Sequence, residues 1–152
     1  MAQDYYDPLQ VFDALVGMLD DNKATLGLGY IAKLDEELLP QYPAVLVTME
    51  APIRRTWHST GMFNVEFNVD FWVFHALLSV GKATRSRLDI ELATQVRKLI
   101  HQHYTLSGHI IDSHVTGEYP GRTTRIVGGK ASSIVTTRLT WEGRNRVPRE
   151  AS

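Results

Sequence analysis

The chain has 152 residues, 16 Lys+Arg, 17 Asp+Glu and no cysteine. That length suits one domain able to bury roughly 70% of its unfolded surface, and 43% hydrophobic with 22% charged residues excludes a disordered chain. A formal net charge of −1 argues against a generally basic nucleic-acid binder. The near-neutral sum hides a split. Residues 1–84 carry 5 basic and 11 acidic side chains; residues 85–152 carry 11 basic and 6 acidic. Such halves either neutralise each other within the molecule or face different neighbours. The lack of cysteine removes a disulfide framework, a thiolate nucleophile and a Cys-rich zinc site, and fits folding in a reducing cytosol. Residues 1–7 have neither a basic n-region nor an apolar h-region, which predicts no signal peptide. The most apolar stretch, Phe63 to Val80, is interrupted by Asn64, Glu66, Asn68, Asp70 and His75, so no membrane span is expected.

The first predicted element is a helix. Asp7 suits the N-cap and Pro8 the first helical position, where its missing N–H is not needed. Leu9, Phe12, Leu15, Val16 and Leu19 then repeat at helical spacing, and Asp20-Asp21-Asn22 ends the run. The acids there oppose the macrodipole. Leu26 to Ile31 reads as a short strand or an extended loop, and Ala44 to Glu50 as a buried strand. Arg54 and Arg55 fall where a loop or sheet edge begins.

The clearest pattern is residues 63–74. Phe63, Val65, Phe67, Val69, Phe71 and Val73 alternate with Asn64, Glu66, Asn68 and Asp70, giving a long strand with one core face and one acidic face. At Trp72 and Phe74 the polar face turns apolar, so that end is covered on both sides, by this chain or by a neighbour. Residues 85–104 form a second helix with the stripe Leu88, Leu92, Ala93, Val96, Leu99 and Ile100. Ile110 to Glu118 and Ser133 to Glu142 are further strands, with turns at Gly121 and Gly128-Gly129. Residues 143–152 hold three arginines and no apolar cluster and read as a mobile tail. The expectation is one domain over 1–142 of α+β class: a mostly antiparallel sheet with two main helices on one face.

Reactive constellations are scarce. His58, His75, His101, His103, His109 and His114 include four within residues 101–114, but His101 and His103 lie about 200° apart around a helix and do not converge. Gly81-Lys82 and Gly129-Lys130 lack the Walker spacing, and no Gly-x-Ser-x-Gly elbow occurs. Glu66 and Asp70 are about 13 Å apart by strand rise, too far for a glycosidase pair at roughly 5–10 Å. Arg54, Arg55, Arg144, Arg146 and Arg149 allow nucleic-acid or protein contacts, and Arg is enriched at protein interfaces.

The helix opened by Asp7-Pro8, the strand entry Tyr42-Pro43-Ala44-Val45-Leu46-Val47, the run Arg54-Arg55-Thr56-Trp57-His58-Ser59-Thr60-Gly61 into the strand 63–74, the helix 85–104 and a β-region ending near Trp141 together resemble the tail terminator proteins of tailed bacteriophages, also called tail completion or minor tail proteins. The resemblance covers nearly the whole chain. It implies a structural virion subunit, not an enzyme, with no cofactor, metal or catalytic residues. The family forms a hexameric ring at the head-proximal end of the tail tube, ends tube polymerisation and binds the head connector, while DNA crosses the lumen without specific binding. The protein would be assembled in the host bacterial cytoplasm and reside in the virion, with no membrane partner. Under that expectation Glu66 and Asp70 line or border the lumen. Arg54, Arg55, Trp72, Phe74, Arg144, Arg146 and Arg149 serve docking or contacts between subunits. The oppositely charged halves face opposite sides of the ring, and the arginine tail orders on docking. Other readings are another neck or head–tail joining protein, a small metal enzyme built on His101, His103, His109 or His114, and a nucleic-acid-binding module.

Overall fold

The amphipathic run at residues 62–75 organises the molecule. The computed structural model describes residues 8–33, 39, 41–49, 53–59, 61–75, 82–106, 108, 110–127 and 129–148. Within these, the order is α1 (Pro8–Asp21), α2 (Lys23–Leu26), β1 (Tyr30–Lys33), β2 (Ala44–Thr48), β3 (Arg54–Ser59), β4 (Met62–His75), α3 (Lys82–Gln102), β5 (Asp112–Val127) and β6 (Lys130–Pro148). The fold is α+β. The sheet order is β1-β2-β4-β6-β5, with β3 also on β4. β1 and β2 run parallel; every other described pairing is antiparallel.

β4 shares one of its edges between two partners. β3 pairs with its first part, Arg54 opposite Glu66, and β2 with its last part, Ala44 opposite Phe74. β6 runs along the entire other edge, from Met62 opposite Pro148 to His75 opposite Val135. Alternation then sorts the side chains. Val65, Phe67, Val69, Phe71 and Val73 pack in one core with Val11, Phe12, Leu15 and Leu19 of α1 and Leu92, Val96 and Ile100 of α3. Both main helices therefore cover the same face, as the periodicity predicts.

Between the first helix and the first strand the chain resolves the ambiguous glycine-rich stretch in two steps. α2 is a single turn. Gly27 closes it at φ 70°, donating its N–H back to Ala24 and Lys23, and Tyr30 then starts β1. Only glycine adopts that left-handed geometry without a Cβ penalty.

The C-terminal half differs from the sequence expectation. α3 begins at Lys82 rather than 85 and ends at Gln102. Gly121 is not in a turn but lies within β5, opposite Thr136. The segment 143–148 is not a tail. It is the end of β6, paired with Met62–Phe67, and residues 143 and 144 also pair with β5. The physical reason is that the first half of β4 needs backbone partners on both edges. Gly143 and Asn145 turn inward, while Arg144 and Arg146 turn out to solvent. Arg149 lies outside the described residues.

β5 and β6 also outrun the sheet. Beyond His75–Val135 the hairpin continues through five more pairs, from Thr123–Ile134 to Val127–Lys130, with no third strand among the described residues. At about 3.4 Å per residue this two-stranded arm projects roughly 17 Å. Gly129 in its turn has φ 80°.

The core side of β6 carries one tight approach. Trp141 is 1% exposed, and a Cβ built on Gly143 would lie 2.7 Å from the Trp141 Cζ2 and closer still to its Cη2. The indole thus occupies the space of the missing side chain. Gly143→Ala should destabilise the protein by about 1–3 kcal/mol, the usual cost of overpacking a dense core. Urea unfolding monitored by Trp fluorescence measures it, and an unchanged midpoint would contradict the packing.

Candidate functional site

Residues in register across neighbouring strands share a face, and the face away from the helices collects most of the residues singled out from the sequence. Arg54 of β3, Glu66 of β4, Arg144 of β6 and Asp112 of β5 form one row across four strands. Arg144 Nη2 lies 3.3 Å from Asp112 Oδ2. Asn64 opposes Arg146, Asn68 opposes Glu142 and Asp70 opposes Thr140 in the flanking rows. Glu66 and Asp70 do share this face, as alternation predicts, but they do not make it an acidic wall. Arg54, Arg138, Arg144 and Arg146 stand beside Glu66, Asp70, Asp112 and Glu142, so the face is close to neutral. On this face the two oppositely charged halves of the sequence interleave rather than separate. The strand holding Glu66 and Asp70 pairs directly with the arginine-bearing β6, and opposite charges settle side by side.

Further along this face Trp72, Arg138 and Tyr119 form a stack. The Arg138 guanidinium sits 5.4 Å from the Trp72 ring centre and 4.8 Å from that of Tyr119, a cation–π sandwich. Tyr119 remains 53% exposed, so one side of the stack is open. Phe74 is different. It is 1% exposed and packs in a second core with Ala32, Leu39, Ala44, Leu46 and Ile134. This corrects its assignment to a docking surface: the apolar end of β4 is covered by its own chain. Arg54 and Arg55 are both exposed on β3 and point to opposite faces by alternation. Beside them Trp57, 59% exposed, meets Phe63 edge to face at 5.2 Å.

The histidines scatter. His101 Nε2 accepts a hydrogen bond from the Val115 N–H at 3.1 Å, tying α3 to β5. His103 is exposed at the end of α3, and His114 lies on β5 opposite Glu142. At the end of β4 burial lowers the pKa of His75. His109 and the side chain of His58 lie outside the described residues. Among the described residues no three His, Asp or Glu side chains are grouped to hold a metal. No described helix is long and apolar enough to cross a membrane.

Two features escaped the sequence reading. A cleft of about 250 Å³ opens between the C-terminal ends of α1 and α3, lined by Ala14, Gly17, Met18, Asp21, Asn22, His103 and Leu106. It needs two segments about 85 residues apart in sequence, which no local pattern reveals. The other is Asp89, 1% exposed under α3, where its Oδ2 accepts a hydrogen bond from Thr137 at 2.8 Å. Its Oδ1 has no partner among the described residues. Here a signal did exist: position 89 continues the buried periodicity of Leu92, Ala93, Val96, Leu99 and Ile100, so the carboxyl had to face the core.

No protein-family model and no curated protein sequence matches this chain.

Burial raises the Asp89 pKa from 3.8 to about 7, partly opposed by the Thr137 hydrogen bond. The folded protein therefore keeps this proton up to near neutrality, while the unfolded chain releases it near pH 4. Asp89's contribution is fully present below that lower value and is lost as pH rises through about 7, a change of about 4 kcal/mol. Asp89→Asn should be more stable than wild type at pH 8 and lose that advantage at pH 5. Denaturant unfolding at both pH values checks it, and a gap that does not change with pH would contradict the buried acid.

Proposed function

We propose that this protein is a structural subunit of a tailed bacteriophage virion, a tail terminator. It forms a ring at the head-proximal end of the tail tube, stops tube polymerisation and joins the head connector. The element order that carried the resemblance supports this reading: a helix entered at Pro8, a strand after Tyr42-Pro43, the Arg54–Ser59 edge strand, a long amphipathic strand, a long helix and a closing β-ribbon. The observation that weighs most is the β5–β6 arm. A two-stranded ribbon is marginal in water on its own, and an unpaired strand edge is a template for another chain. A 16-residue β5 at the sheet edge, continued into such an arm, fits a subunit built to meet neighbours.

In this reading the helix-free face borders the lumen, the ring is a hexamer, and its partners are the tube protein and the connector. A face where arginines and carboxylates alternate gives DNA no net charge to release counterions against, so the strand passes without being held. The protein is then made in the host bacterial cytoplasm and resides in the virion.

Two measurements test the reading. Negative-stain imaging with mass determination, on the protein alone and with tail tubes, should reveal rings with a central hole; protein that stays monomeric alone and leaves tubes uncapped would refute it. Glu66→Lys with Asp70→Lys should turn the neutral face strongly basic. The double variant is expected to bind duplex DNA with an affinity that falls steeply with salt, while wild type binds none. Equal DNA binding by both proteins would remove this face from the lumen.

A further inference from the structure

Gly17 lines the cleft between α1 and α3. A Cβ built on Gly17 meets nothing within 4 Å, so packing inside this chain does not require glycine there. Glycine in a helix interior is nonetheless unfavourable relative to alanine. The opening has an apolar part at Ala14, Met18 and Leu106 and a polar part at Asp21 and His103. α1 ends in Asp20 and Asp21 with no basic residue in its last turn. Two carboxylates thus add to the negative end of the helix dipole, and no described cation forms an ion pair with either.

The β5–β6 arm has the opposite character. From Arg122 to Val135, at the base and along the arm, the sequence holds Arg122, Arg125 and Lys130 and no acid. The arm and the cleft also lie at opposite ends of the molecule. The cleft is at the C-terminal end of α3, where the Ser113 hydroxyl donates to the Tyr104 carbonyl at the start of β5. The arm leaves from the other end of β5, beyond the level of Asp89 and Thr137. A 21-residue helix spans about 30 Å between them, so one molecule's arm cannot reach its own cleft.

We infer that the basic β5–β6 arm of one copy docks against the acidic cleft at Gly17 and Asp21 of a second copy. This head-to-tail contact uses different surfaces on the two copies, so it closes a ring or grows a filament. It rests on the proposed assembly function and names the surfaces through which that assembly forms. Gly17 lets the arm approach the helix backbone, and the carboxylates fix its orientation.

Sedimentation equilibrium of the full chain tests the contact. Gly17→Ala should raise the melting temperature by a few degrees, roughly what helix propensity gives in a domain this size, yet weaken association. Gly17→Leu, which fills the cleft, should weaken it further, on the order of tenfold to a hundredfold. Asp20→Lys with Asp21→Lys should do the same, and adding Arg122→Glu with Lys130→Glu to that protein should restore assembly, since both surfaces are then reversed. A folded Gly17→Leu protein that assembles like wild type would overturn the docking while leaving a ring reading intact. Failure of the fourfold reversal to restore assembly would also overturn it. Wild-type protein that never self-associates, alone or on tubes, would overturn both.

Discussion

The register of β4 is the constraint on which the rest of the structure depends. Its odd positions hold Val65, Phe67, Val69, Phe71 and Val73, each buried against the helix layer. A slip of one residue would put Glu66 and Asp70 under α1 and α3 and expose both phenylalanines. β2, β3 and β6 all take their alignment from this one strand. The β4–β6 pairing joins residues far apart in sequence, and both main helices pack on the apolar surface to which these strands contribute.

That constraint also decides the fate of the charge. A chain with an acidic first part and a basic second part can separate its charges in space only if the two parts fold apart. Here the strand pairing interleaves them. Glu66 lies between Arg54 and Arg144, and Arg144 reaches Asp112. Neutrality is achieved row by row across the sheet, through pairs too exposed to add much stability but effective in cancelling the field at the surface. Among the described residues, charge separation persists away from β4: at the C-terminal end of α1, with Asp20 and Asp21, and in the arm beyond His75.

What was legible in the sequence follows the same division. Residues 63–74 were readable because their period of two is uninterrupted, and α1 because Phe12, Leu15 and Leu19 repeat at helical spacing around a good start signal. The extent of β5 and β6 was not readable. Gly121, Gly143 and the arginines at 144 and 146 carry loop-like composition, and they are strand only because a partner strand supplies their backbone bonds. The candidate site divides likewise. The placement of Glu66 and Asp70 on one face came from periodicity alone, whereas setting Arg144 beside Glu66 required a pairing between residues 78 positions apart. Phe74 was misplaced because an apolar residue on the polar face of a strand looks the same whether its cover is its own chain or another.

The burial of Phe74 bears on how this protein can associate. The helix-free face has a closed end, where Leu39, Leu46, Phe74 and Ile134 form a core of their own, and an open end of alternating charge. Large apolar side chains are therefore mostly consumed in folding the subunit. Of the exposed aromatics on the sheet, Trp57 leans on Phe63 and Tyr119 on Arg138. Obligate assemblies, by contrast, leave an interface that resembles a core cut in half. A surface of this composition fits a subunit that folds first and associates afterwards through charge, backbone edges and shape. Under the proposed function the subunit waits for a completed tube, so folding without its partner becomes a physical requirement, which the closed second core helps to meet.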